Sequence, residues 1–85
     1  MKVLKATYVS GYSIRISFSN GETRIVDLAS FLTNAKNPLT SQFLNIKKFR
    51  IFKLTNGYLT WDAQMDISAD YLYQLPVKKK LASNS

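Results

Sequence analysis

The chain has 85 residues, of which 46% are hydrophobic, so it can form one domain around a single core. It contains neither cysteine nor histidine, which excludes disulfides, thiolate zinc sites, cysteine nucleophiles and imidazole bases. Its net charge of +7 favours an anionic partner, and it has no apolar run of about 18 residues, the length that a membrane helix needs, so we expect a soluble, cytoplasmic protein.

The N-terminal third of the chain predicts three antiparallel strands in a meander. KVLKATYV is rich in β-branched and aromatic residues, and YSIRISF alternates strictly between apolar and polar side chains, as a strand does when one face is buried. Ser10 and Gly11 end the first strand in a tight turn. Asn20-Gly21 has the composition of a two-residue type I′ hairpin turn, in which both residues need positive φ, and ETRIV is the returning strand.

Short helices and a second hairpin are predicted to follow. Asp27 can cap a helix over LASFLTN, and Asn45 can cap a single turn over IKKF, because both side chains accept bonds from free backbone N–H groups. Asn56-Gly57 then joins RIFKL to YLTW with the turn chemistry of the first hairpin. We therefore expect an α+β fold, in which a small antiparallel sheet (a three-stranded meander plus a second hairpin) has short helices packed on it.

The sequence predicts a boundary near the C-terminus, where the composition becomes polar. Residues 1–76 form the single α+β domain in this interpretation, and residues 77–85 form a basic polar tail with three consecutive lysines. We expect the chain from Pro76 onward to be loosely held. The lysine run is interpreted as a solvated tail, with anion binding as the alternative.

The stretch WDAQMDISADYLYQL contains the predicted start of a final helix. With Ser68 as the N-cap, Asp70 lies in the first turn, where its charge meets the positive end of the helix dipole. Ile67 and Leu72 then occupy the two positions of a hydrophobic staple. Acidic and hydroxyl side chains in this stretch are therefore expected to serve the backbone.

The same stretch spaces three aspartates four residues apart, which raises the hypothesis of a metal or catalytic site. Asp62, Asp66 and Asp70 supply oxygen ligands of the kind that calcium and magnesium prefer. Their spacing is not that of a calcium loop, whose ligands recur every second residue around a central glycine. We therefore expect no metal, no cofactor and no catalytic residue, and we interpret Asp66 as a loop residue that bonds backbone amides.

Trp61 followed by DISADYLY, after a hairpin and the Asp27-Leu28 helix start, resembles a small bacterial family, domain of unknown function 2442. The resemblance runs from about Val3 to Leu75. It implies an α+β fold and no established enzyme activity. It also implies that some relatives carry a helix-turn-helix and that others accompany small partner proteins in toxin–antitoxin-like pairs.

We interpret the chain as a non-catalytic interaction module that binds a protein partner through an exposed sheet edge or an aromatic patch. Tyrosine is enriched in interfaces, and an exposed Trp61 beside acidic residues would form a binding cleft. Its alternation with Leu59 also suits a position in the core. The candidate binding surface consists of Trp61, Asp66, Tyr58, Lys47, Lys48, Arg50 and Lys53.

The alternative function is nucleic-acid binding, because basic residues interleaved with aromatic ones can contact phosphates and stack on bases. The cations that would do so are Arg15, Arg24, Lys47, Lys48, Arg50 and Lys53, together with the lysine tail. A structural explanation of the same pattern is an amphipathic edge strand whose lysines block pairing between sheets of different molecules.

Overall fold

The structure, a computed structural model, describes residues 1–62 and 64–81, with side chains up to Lys78. Its strands are β1 (Val3–Ser10), β2 (Ser13–Phe18), β3 (Thr23–Asp27), β4 (Lys53–Thr55), β5 (Tyr58–Trp61), β6 (Met65–Ile67) and β7 (Val77–Leu81). Its helices are α1 (Ala29–Thr33), α2 (Pro38–Ser41), α3 (Ile46–Phe49) and α4 (Ala69–Gln74), with a 3₁₀ turn at Gln42–Leu44. None of the helices in these residues is long and apolar enough to span a membrane.

The strands form two antiparallel sheets, one with the order β1-β2-β3-β7 and one with the order β4-β5-β6. The predicted meander and the predicted second hairpin are both present. The hairpin is extended by β6, which pairs with β5. Two small antiparallel sheets with short helices make the α+β fold that the sequence predicted.

The beginning of the predicted tail lies in the first sheet. We expected the chain from Pro76 onward to be loosely held, but β7 pairs with β3 from Val26↔Val77 to Thr23↔Leu81. The segment VKKKL lacks the alternation of apolar and polar residues that indicates a strand. Pairing requires only backbone N–H and C=O groups at the open edge of β3, so the side-chain pattern did not predict it.

The loop between β2 and β3 differs from the predicted type I′ turn. Gly21 has a φ of +92°, whereas Asn20 lies outside the positive-φ region. The Gly21 N–H donates to the Phe18 carbonyl at 3.0 Å, and the Phe18 N–H donates to the Glu22 carbonyl at 2.8 Å. The result is a three-residue loop that ends in a left-handed glycine. Asn20 accepts a bond from the Glu22 N–H through its side chain at 3.0 Å, a local contact that favours this longer loop.

The loop between β4 and β5 is the predicted type I′ turn. Asn56 and Gly57 have φ values of +48° and +87°, and Thr55 pairs with Tyr58 across them. This turn also connects the two sheets, because the Gly57 carbonyl accepts a bond of 2.8 Å from the Val3 N–H of β1.

Gly57→Ala is expected to destabilise the protein more than the matched variant Gly21→Ala. A Cβ at residue 57 would lie 2.8 Å from Cβ and Cγ of Lys2, whereas a Cβ at residue 21 would meet nothing within 4 Å. Both glycines have positive φ, so we expect a loss of about 1 kcal/mol for Gly21→Ala and about 2–3 kcal/mol for Gly57→Ala in urea unfolding. Equal losses would contradict the close approach of Lys2.

Hydrogen bonds at the helix starts agree with most of the predicted caps. The Asn45 side chain accepts a bond from an N–H of α3 at 3.3 Å, and Ser68 Oγ accepts one from an N–H of α4 at 3.2 Å. The Asp27 carboxylate accepts a bond of 2.9 Å from the Ala29 N–H. The N-cap of α1 is Leu28. The helix therefore begins one residue later than predicted, and Asp27 immediately precedes the cap.

One core lies between the buried faces of the two sheets and the helices. The alternation in β2 is confirmed from Ile14 to Phe18, whereas Ser13, which was predicted on the polar face, is also buried. The predicted staple residues Ile67 and Leu72 belong to the same core.

Candidate functional site

Trp61, the central residue of the predicted binding surface, is a core residue. Its side chain is fully buried, and its Nε1 donates to the Phe49 carbonyl at 2.8 Å. The rings of Phe43, Phe49 and Phe52 surround it, with centroid distances of 6.2, 5.9 and 5.7 Å. Trp61 therefore cannot meet a partner at the surface, because burying so large a ring with its one polar atom bonded stabilises the fold more than exposing it.

Tyr58 and Asp66 lie on the outer face of the second sheet. Tyr58 is half-buried and opposite Thr55, and Asp66 is exposed and opposite Thr60. The sequence placed Asp66 in a loop, but it is the middle residue of β6. A strand of this length is too short to be recognised from alternation, which explains the difference.

The basic residues of the predicted surface lie on α3, directly after it, and on β4. Lys47 and Lys48 are exposed on α3, and Lys53 is exposed on β4. The Arg50 guanidinium stacks over the Tyr8 ring of β1, with Cζ 4.8 Å from the ring centroid. Because β4 is an edge strand of the second sheet, Lys53 is placed where a charge prevents the addition of another strand.

The other two arginines of the nucleic-acid alternative do not join these residues. Arg15 is exposed on the outer face of the first sheet, opposite Thr7. Arg24 points toward α4, where its guanidinium donates to the Tyr73 carbonyl at 3.0 Å and pairs with the Glu22 carboxylate at 3.2 Å. Its Cζ also lies 3.6 Å from the centroid of the Tyr73 ring. The structure therefore does not bring these six cations together on one surface, and the lysine tail beyond Lys78 lies outside the described side chains.

The three aspartates of the metal-site hypothesis lie in three different local structures. Asp62 follows β5 with a φ of +49°, and Asp66 is in β6. Asp70 is in the first turn of α4, where the Met1 ammonium lies 3.8 Å from its carboxylate. In the part of the chain that the structure describes, no three acidic side chains are grouped so that they could hold a metal ion.

A groove that shares only Asp66 with the predicted surface lies beside α1 and α4. The ring of Phe31 on α1 meets the ring of Tyr71 on α4 edge to face, with the centroids 5.4 Å apart. Tyr71 remains exposed over 44% of its surface. The pair lines two neighbouring open hollows with volumes of about 510 and 450 Å³. We call these two hollows and the aromatic pair between them the Phe31–Tyr71 groove.

The local structure of the two helices places both rings at the surface. Leu32 in α1 and Leu72 in α4 are buried in the core, whereas Phe31 is half-buried against the margin of the core and Tyr71 is exposed. A backbone bond of 3.0 Å from the end of β3 to the Pro76 carbonyl keeps the end of α4 close to the start of α1. The groove is thus built on helices that the core holds in position.

The two hollows share an apolar part but differ in their charged residues. In the larger hollow, Leu75 and Pro76 add apolar surface, and Lys36 supplies a cation. In the smaller hollow, Ile67 adds apolar surface, and Asp66 supplies an anion. Such a groove can bury an apolar side chain and contact polar groups on both sides of it.

Sequence reasoning did not include Phe31 or Tyr71 in the candidate surface, although one signal was available. The buried residues of α4 are Ala69 and Leu72. Helical periodicity therefore turns Tyr71 away from the buried face of this helix. The contact with Phe31 could not be predicted, because it depends on how two helices distant in sequence pack together.

Comparison with known proteins matches residues 3–76 of the chain to the family described as Protein of unknown function (DUF2442). The matched segment contains both aromatic residues of the groove and ends just before β7. No curated protein and no solved structure matches the chain.

Proposed function

The chain belongs to the DUF2442 family, whose function is unknown, and from its own residues we propose that it is a non-catalytic module that binds a protein partner through the Phe31–Tyr71 groove. The observation that carries this proposal is the exposed Tyr71 ring, packed on Phe31 and lining two open hollows. Rigid aromatic side chains at such positions are typical anchors of interfaces. The absence of cysteine and histidine from the sequence supports a role without catalysis.

The groove is better suited to binding than the free edges of β1 and β4. β1 and β4 are edge strands of the two sheets. The pairing of β1 is irregular between Val3 and Lys5 and between Tyr8 and Ser10, and β4 carries the exposed Lys53. Bulges and lysines on edge strands prevent the addition of another strand, so we propose the aromatic groove as the binding surface.

We propose that the partner is a small protein of the kind that accompanies some relatives in toxin–antitoxin-like pairs. Co-expression of this chain with the product of each neighbouring gene tests the idea. We expect one product to co-purify with the wild type and to be lost with Tyr71→Ala. A product that co-purifies equally with both would place the binding surface elsewhere.

Tyr71→Ala is expected to weaken binding of short peptides selected on the wild-type chain from a random displayed library. Loss of an anchoring tyrosine costs more than about 1 kcal/mol, which corresponds to at least a fivefold weaker affinity. Tyr58→Ala is the matched control, because Tyr58 is a half-buried tyrosine that lines neither hollow. Fluorescence anisotropy with labelled peptides measures both variants. If no selected peptide depended on Tyr71, the proposal would be wrong.

The second candidate function is nucleic-acid binding, which the exposed Lys47 and Lys48 on one turn of helix favour. It predicts retention of DNA or RNA in gel shifts at about 50 mM salt and a steep loss of binding as salt rises. Lys47→Ser would then reduce the slope of log affinity against log salt concentration by about one. The absence of retention under these conditions would remove this second candidate.

A further inference from the structure

The Phe31–Tyr71 groove has opposite charges in its two hollows. Lys36 lines the larger hollow and Asp66 the smaller one. Both side chains are exposed, and neither takes part in an ion pair within the described residues. The aromatic pair, which lines both hollows, therefore lies between a free cation and a free anion.

Asp66 differs from most of the acidic residues in this basic chain. Glu22 forms an ion pair, Asp27 accepts a backbone bond at the start of α1, and Asp70 lies 3.8 Å from the N-terminal ammonium. Those three carboxylates serve the fold. The position of Asp66 on the outer side of β6, beside the aromatic pair, leaves its charge available to a ligand.

We propose that the groove binds an extended or helical segment of its partner in one direction only, which rests on the protein-binding function proposed above. An apolar side chain of the segment packs on Phe31 and Tyr71. A basic residue on one side of this anchor faces Asp66, and an acidic residue on the other side faces Lys36. Such charge pairs at the rim contribute little affinity and instead fix the orientation of the bound segment.

The test uses the same random displayed library, panned separately on the full wild-type chain and on the double variant Lys36→Glu/Asp66→Lys. Peptides selected on the wild type are expected to have an apolar anchor with basic and acidic residues in a constant order. The double variant is expected to select the opposite order. An order that is the same on both proteins would overturn the proposal.

Affinities of single variants provide a second readout. Asp66→Lys replaces an attraction with a repulsion, so it is expected to weaken the binding of peptides selected on the wild type about fivefold. Changing the basic residue of such a peptide to glutamate should restore its affinity for this variant. Asp62→Lys is the control, because Asp62 is exposed but does not line either hollow. Asp66→Asn removes the charge with little change in size, so it separates charge from any disturbance of β6. Circular dichroism melting verifies that each variant is folded.

The outcomes distinguish this inference from the proposed function. Selected peptides that need Tyr71 but have no constant charge order would overturn the directional binding and leave the protein-binding proposal intact. The absence of any peptide that needs Tyr71 would remove both. Sedimentation that finds a dimer dissociated by Tyr71→Ala would identify a second copy of the chain as the occupant, which also overturns the inference.

Discussion

Trp61→Ala is expected to remove most of the free energy of unfolding of the protein. Truncation of a buried tryptophan costs about 3–5 kcal/mol, which is comparable to the whole stability of a small domain, about 5 kcal/mol at the lower end. The loss is expected to be large because three phenylalanine rings, those of Phe43, Phe49 and Phe52, pack around this side chain. Far-ultraviolet circular dichroism during urea unfolding measures the effect.

Trp61→Phe is the graded control for this prediction. It keeps an aromatic ring in the core but removes the Nε1 donor, so the Phe49 carbonyl loses its bond of 2.8 Å. We expect a smaller loss of about 1–3 kcal/mol, the cost of a buried acceptor left without its partner. If the free energy of unfolding of Trp61→Ala lay within about 1 kcal/mol of the wild-type value, the central place of Trp61 in the core would be contradicted.

Arg24→Ala is expected to lower the free energy of unfolding by about 2 kcal/mol. This is less than the cost of breaking a fully buried ion pair, because the Arg24–Glu22 pair is partly solvated. The exposed fractions of the Arg24 and Glu22 side chains are 15% and 24%. The substitution removes the bonds of the guanidinium to Glu22 and to the Tyr73 carbonyl, and its contact with the Tyr73 ring. The Tyr73 hydroxyl, which also bonds Glu22, would then hold that carboxylate without the arginine.

Arg15→Ala is the matched control for Arg24. Arg15 is exposed on the outer face of the first sheet, so its removal should change stability by less than about 0.5 kcal/mol. Arg24→Lys should lie between the two, because an ammonium keeps the charge but loses the planar fork that bonds two acceptors. Equal stability of Arg15→Ala and Arg24→Ala in urea would refute the role of Arg24 as the link between β3 and α4.

The candidate site could be predicted only in part, because surface position depends on packing. The sequence predicted Asp66 as a surface residue, but it placed the binding surface around Trp61, which is buried by rings from the 3₁₀ turn, α3 and the residue just before β4. The sequence likewise predicted Arg24 to be one of the cations that could contact nucleic acid. Its partner Tyr73 is distant in the chain, and only the approach of α4 to β3 gives it an internal role.

The sequence by itself determined the features that depend on a few neighbouring residues: the strand alternation of YSIRISF, the left-handed turn at Asn56-Gly57 and the helix caps at Asn45 and Ser68. Each arises from backbone sterics or a hydrogen bond within a few positions. The tertiary structure alone decided the pairing of β7 with β3, the burial of Trp61 and the meeting of Phe31 with Tyr71. These contacts join residues far apart in the chain, and the shared core, to which many side chains contribute at once, selects them.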